Sequence, residues 1–274
     1  MKKMVMAVIL AAATVATAQT KISVSGSDTL GGVMTDAIIA AGLTQKIAYT
    51  GGGSGVGEKA MANAEITITA MSREFKTEML DAAKTKGIMP VAHVIALDGI
   101  GIFVNAANPL ASLDFTTVSK IFTCDITSWN QVAGSGKNGP IKAYRRDDKS
   151  GTTDTFKHLV GVKTFGACVT VVNETADIAD RTASEADAIG YAGLSAVKSG
   201  NRTLAISKKA GEATVLPNTT TIRNETYPLS RKLYIYESSG SKAPAGAEQE
   251  LLGYLLDRSF LDPIVQDHDF ITLD

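Results

Sequence analysis

From Ile22 the chain alternates apolar and polar residues through Ser23, Val24 and Ser25, the period-two signature of a strand. Behind Gly31 and Gly32 the period changes, and Val33, Met34, Ala37, Ile38 and Ala41 recur at helical spacing. The same order of strand, loop and helix returns twice. Ile47, Ala48 and Tyr49 precede a glycine-rich loop at 51–55 and a short helix over 56–62. The alternating Ile66, Thr67, Ile68 and Thr69 precede an amphipathic helix through Phe75, Met79, Leu80 and Ala83 that stops at Gly87. Residues 91–104 are almost wholly apolar apart from His93, Asp98 and Gly99, and predict two strands joined where the chain passes between lobes. Helical spacing resumes over 116–122, a strand and helix follow at 141–144 and 153–160, and the chain closes with a strand over 229–236 and a helix over 247–256. No internal repeat or low-complexity tract interrupts this order. Strands alternating with helices predict an α/β sheet whose ligands meet the carboxyl ends of the strands, where helices begin.

The N-terminus changes the picture of where this fold works. Lys2 and Lys3, an apolar run, and then Ala16, Thr17 and Ala18 before Gln19 have the form of a secretory signal peptide over residues 1–18. The apolar run is too short to span a bilayer and no Cys follows it, so the expected product is soluble, exported and without a lipid anchor. Its 256 residues (274 minus 18) approach the size at which one core divides, which predicts two lobes. Removing Lys2 and Lys3 takes the formal charge from −1 to −3, so nucleic acid has no electrostatic footprint here. An anion bound by such a chain must be held by local donors. Cys124 and Cys168 would meet an oxidising compartment, where an even count favours a disulfide; the alternative is two buried free thiols. The bond would close a loop of about 45 residues and contribute roughly 4 kcal/mol by chain entropy.

Three strand-to-helix junctions share one chemistry: residues 26–30 (GSDTL), 52–57 (GGSGVG) and 146–153 (RDDKSGTT). Glycine admits close approach, first-turn amides are unpaired donors and Ser or Thr adds a hydroxyl, so one junction can hold an oxyanion. Any one of them read alone is a helix cap; three together can replace much of the hydration shell of a tetrahedral anion. The third brings Arg146, whose planar fork suits an oxyanion, with Asp148 either orienting it or making an ordinary surface pair. Nucleotide motifs fail. Gly52 and Gly57 have P-loop spacing, but Glu58 stands where Lys is required, and no G-x-G-x-x-G can be read over 51–57. A G-x-S-x-G elbow around Ser54 fails at Val56. His93, His158 and His268 lack metal-ligand spacing and read as structural, so neither metal nor cofactor is expected.

With these junctions, Ile121-Phe122, Ile126-Thr127-Ser128-Trp129-Asn130 and Tyr227-Pro228-Leu229-Ser230-Arg231, the chain resembles the phosphate-binding proteins of bacterial phosphate ABC transporters over most of its length. The resemblance implies an α/β, two-lobed type II periplasmic-binding-protein fold with the ligand between lobes. Lobe 1 would comprise 19–95 plus 226–274, and lobe 2 would comprise 96–225, the chain crossing over 93–101 and returning over 224–229. It also implies a periplasmic receptor, not an enzyme, that closes on inorganic phosphate and presents it to a membrane permease; one ligand between two lobes needs no dimer. Thr29 and Leu30 would offer amides and a hydroxyl, Ser54 would donate from the second loop, and Arg146, Ser150, Gly151 and Thr152 would bind from the other lobe.

The chain departs from the best-known family pattern after the third strand. An Asp there accepts the proton of hydrogen phosphate and repels sulfate, whereas this sequence has Ala70-Met71-Ser72-Arg73, with Ser72 in the ligand position. A hydroxyl both accepts and donates, which keeps sulfate, molybdate or another tetrahedral oxyanion open as the ligand. Arg73 either adds positive charge or is a solvated helix-start residue. A phosphate sensor or adhesin on the same fold is a further alternative. The remote one is an exported serine hydrolase, since Ser195-Ala196-Val197-Lys198 fits S-x-x-K, but its S-D-N and K-T-G companions are absent.

Overall fold

The computed structural model describes residues 21–273, so the signal segment expected over 1–18 lies outside the described residues. The first three predicted units fold as β1 (Ile22–Gly26), α1 (Gly31–Ala40), β2 (Ile47–Thr50), α2 (Ser54–Ala62), β3 (Ile68–Met71) and α3 (Thr77–Thr85). Then come β4 (Ile88–Asn105), β5 (Ser112–Asp114), α4 (Phe115–Phe122), β6 (Lys142–Arg145), α5 (Gly151–Val160), β7 (Val169–Val171) and α6 (Thr175–Ser184). The chain ends with β8 (Ala188–Gly193), β9 (Asn201–Thr203), β10 (Ala205–Ser207), α7 (Thr219–Arg223), β11 (Ser230–Gly240), α8 (Ala247–Leu256) and α9 (Arg258–Asp267).

The principal sheet runs β2-β1-β3-β11-β4-β8-β6-β7, with β9 also on β4. β1 is parallel to β2 and β3, and β6 is parallel to β7 and β8, so in each half the helices start at one edge. The halves are joined by β4. Its first part pairs antiparallel with β11 as far as Gly99↔Ser230, and from Ile100↔Gly193 its partner is β8. The expected pair of strands over 91–104 is therefore a single strand of 18 residues. It needs no turn because it changes partner instead of direction, and from Ile100 to Val104 its apolar run reflects burial on both faces. Ile100 N–H also donates to Leu229 O at 2.8 Å, just before β11 begins.

Each half has its own core, as a two-lobed fold requires. On one side of the partner exchange, Val24, Met34, Ile38, Ile68 and Ile235 pack with Leu251, Leu255, Leu261 and Val265 of α8 and α9. On the other, Ile102, Val104, Phe122, Trp129, Phe156 and Tyr191 form the larger cluster, with the Phe156 and Tyr191 rings stacked 3.9 Å apart. The Cys124–Cys168 disulfide forms, joining the end of α4 to the start of β7 with 6.0 Å between Cα atoms. Among the described residues no helix is long and apolar enough to cross a membrane.

Candidate functional site

The loops following β1, β2, β3 and β6 meet at the partner exchange, and the three glycine- and hydroxyl-rich junctions come together there. Ser54, the first residue of α2, and Ser72, just after β3, are both fully buried; their hydroxyls lie 3.1 Å apart and Ser72 N–H donates to Ser54 Oγ at 3.0 Å. Facing them is the start of α5, capped by Ser150, whose Oγ accepts from Thr153 N–H. Gly151 is in contact: a Cβ there would lie 2.3 Å from Ser54 Oγ and 2.4 Å from Ser72 Oγ. Thr152 Oγ1 is 3.2 Å from Thr29 Oγ1 across the cleft. Leu30, at the N-cap of α1, is buried in the lobe core and fixes that loop. Gly53, at φ 99°, adopts a backbone that favours glycine, and a Cβ on it would strike Lys149 O at 2.2 Å. The two sides thus touch backbone to backbone, with Gly55 N–H donating to Lys149 O at 3.3 Å.

Arg146 follows β6 directly and is buried, and its Nη2 donates to Asp28 Oδ2 at 2.9 Å across the cleft. Nη1 goes to Thr175 Oγ1 at 3.2 Å, whereas Nε has no hydrogen-bond partner. Asp28 is itself held, its Oδ1 accepting from Gly52 N–H at 2.7 Å. The carboxylate that orients Arg146 is therefore Asp28. Asp148, considered for that task, is exposed and reaches Arg145 and Lys157 at 3.4 and 3.5 Å instead, because its side chain faces solvent along the outside of the loop. Arg73 is neither a spare charge in the pocket nor solvated. It forms a fork to Glu58 at 2.9 and 2.8 Å and bonds Asp154 Oδ2 of α5 at 2.9 Å, spanning the cleft. Burial alone would lower its pKa, but the hydrogen bonds and charges of Glu58 and Asp154 together raise it. Burial, and then the charge of Asp28, push the Tyr49 hydroxyl well above the usual tyrosine range; it donates to Ser27 O at 2.7 Å.

Besides Asp28, two residues of the site had no assigned role in the sequence. Arg231 of β11 donates to Thr152 Oγ1 at 2.7 Å and pairs with Asp98 of β4, both side chains almost fully buried. The signals were present: Asp98 interrupts an apolar run, and Arg231 ends the Tyr227-Pro228-Leu229-Ser230-Arg231 segment. Their meeting spans 133 positions, which no local pattern records. Beside these loops runs a groove of about 770 Å³, lined by Phe75, Leu97, Leu159, Tyr227 and Tyr234 and reaching Ser72 and Arg231. The convergent donors lie at the contact between the loops, whereas this wider space is lined by charged as well as apolar side chains, Arg73, Glu74, Lys76 and Asp154 among them. Of the histidines, His93 pairs with Glu237 and His268 with Asp36, each at 2.8 Å, while His158 lines the groove. Among the described residues no group of three or more His, Cys, Asp or Glu is arranged to hold a metal. Ser195 and Lys198 are exposed, and the Lys198 ammonium pairs with Asp180.

A profile of the PBP superfamily domain matches residues 11–259. The phosphate-binding protein PstS of Pseudomonas aeruginosa is 30% identical over 230 residues, covering 78% of this chain and 71% of that protein. The chain belongs to the PstS-like family. Protein SphX of Synechococcus elongatus, another relative, is 31% identical over 223 residues, 74% of this chain and 63% of its own. Among solved structures, a phosphate ABC transporter substrate-binding protein with bound phosphate from Clostridium perfringens superposes with a TM-score of 0.78 at 23% identity, covering 93% of this chain and all (100%) of that one. An ABC-type phosphate transport receptor from Vibrio cholerae gives 0.75 at 22%, covering 92% and 100%. At these identities the superpositions establish the two-lobed fold. The PstS-like family comprises solute-binding components of transporters rather than enzymes.

Proposed function

We propose that the chain is exported and captures inorganic phosphate between its lobes for delivery to the permease of an ABC importer. The observation that carries this reading is the buried Arg146. It sits where three helix-start loops meet, is oriented by Asp28 of the facing loop, and keeps an unpartnered buried Nε. An unpaired buried donor is costly without an acceptor, and a phosphate oxygen is such an acceptor. In this reading Thr29 and Leu30, just before α1, offer amides and a hydroxyl, Ser54 and Ser72 offer hydroxyls, and Ser150, Gly151 and Thr152 bring the N-terminus of α5 with its partial positive charge. The hinge then lies between Gly99 and Ile100 and between Leu229 and Ser230, a few residues past the divisions at 95/96 and 225/226. The binding step involves no bond breaking, and a monomer suffices for it.

A second reading, a receptor for tetrahedral oxyanions more broadly, draws support from the Ser54–Ser72 hydroxyl pair, since no carboxylate stands there to repel a fully ionised anion. Calorimetric titration of the ligand-stripped protein with phosphate, repeated in excess sulfate, tests both. Tight one-to-one binding indifferent to sulfate supports the phosphate receptor; competition by sulfate supports the broader one; absence of phosphate binding in both titrations overturns the proposal.

A further inference from the structure

We propose that Arg231, anchored by Asp98, is a positioning residue that holds the Thr152 hydroxyl as a hydrogen-bond donor toward the anion and so ties anion binding to the hinge. The inference rests on the reading of the cleft as an oxyanion site. Asp98 and Arg231 are register partners, the last pair but one before β4 changes partner at Ile100. Arg231 Nε and Nη2 both donate to Asp98 Oδ2, at 3.0 and 2.6 Å, leaving Nη1 to reach Thr152 Oγ1 at 2.7 Å. The second oxygen of Asp98 accepts from Gly99 N–H at 2.7 Å and from Leu194 N–H, beyond the partner exchange, at 3.4 Å. Every polar end of the pair is thus committed, and its geometry is fixed from both lobes.

The effect falls on Thr152. A hydroxyl has one proton and two lone pairs. With a guanidinium on one lone pair, the positive charge turns the hydroxyl proton away from Arg231, toward the cleft where Thr29 lies at 3.2 Å. Thr152 is then a donor in advance of the ligand, and preorganised donors bind without the cost of reorienting. The pair is also packed against its support: a Cβ on Gly193 would lie 2.9 Å from Asp98 Oδ2 and 3.2 Å from Arg231 Nη2. Arg231 and Asp98 stand on the strands that flank the hinge and Thr152 lies in the first turn of α5 on the far side, so in this structure the hydrogen bond links the hinge strands to that lobe.

The test is a double-mutant cycle in phosphate titration calorimetry. Arg231→Gln alone leaves a buried carboxylate unpaired and endangers folding, so the working variant is R231Q/D98N, in which the charges are removed together. We expect it to melt within a few degrees of the wild type, to bind phosphate at least about tenfold more weakly, and to lose no further affinity when Thr152→Val is added, since Arg231 acts through that hydroxyl. Independent, multiplying losses from the two changes, or an affinity within about twofold of wild type, overturn the inference. The wild-type titration run beside them separates two failures. A wild type that takes no phosphate removes the functional reading and this inference with it, whereas a wild type that binds beside an unaffected variant removes the inference alone.

Discussion

At Arg146 the burial, the charge and the donor geometry converge on one side chain. Its Nη2 is committed to Asp28 and its Nη1 to Thr175, so replacing it removes a cation and leaves Asp28 without its charged partner. Hydrogen bonds to charged groups contribute about 1.5–3 kcal/mol, and Arg146→Ala is therefore expected to weaken phosphate binding by roughly tenfold to 150-fold in calorimetry. Unchanged affinity would show that the anion sits elsewhere. Gly151 makes a different demand. Its missing Cβ is what lets α5 approach Ser54 and Ser72, so Gly151→Ala should bind phosphate at least about tenfold more weakly while the ligand-free melting temperature holds or rises, since alanine favours the helix. A fall in both would mean that the glycine serves folding rather than closure. The loop residues that meet at the cleft were legible in the sequence because each stands at a strand-to-helix junction, a local pattern. Asp28, Asp98 and Arg231 were not assigned because what gives them a role is a partner more than a hundred positions away.

The elements tell a similar story. β1 to α3 were readable because each alternates or repeats with a clean period, and glycines flank or fill the first two strand-to-helix loops. The short β5, β7, β9 and β10, each of three residues, carry too few positions for a period to appear. α9 hides Pro263 in its interior, which reads in sequence as a break. β4 was misread as two strands because Asp98 and Gly99 look like a turn; burial of Asp98 by Arg231 removes the reason for one. The disulfide is a feature of the elements rather than of the site, fastening α4 to the start of β7. Its loss in Cys124→Ser/Cys168→Ser should lower unfolding free energy by roughly 4 kcal/mol in denaturant titration, with phosphate affinity of the folded protein within about twofold of wild type. A large loss of affinity at unchanged stability would instead link the bond to the cleft.

For the molecule as a whole, the lobes meet through contacts across the cleft: Arg146 with Asp28, Arg73 with Asp154, and Arg231 with Thr152. The Arg73–Asp154 pair lies outside the proposed anion contacts, so Asp154→Asn should weaken phosphate by about threefold to tenfold through closure alone. Small-angle scattering should then show the variant reaching the wild-type compact form at saturating phosphate, and failure to compact in either protein would argue against hinge closure. Two lobes on one sheet were foreseeable from length and alternation; the shared strand was not.

That shared strand also sets an order of assembly. In the sheet β11 lies between β3 and β4, yet it is made more than a hundred residues after either. As the chain emerges from its N-terminus, the edges of β3 and β4 must wait for their common neighbour, while the intervening segment from Ile100 to Leu229 is contiguous and carries its own core and disulfide. The half of the molecule that begins first is the half that finishes last, and until then its unpaired strand edges are the places where a newly delivered chain is open to mispairing.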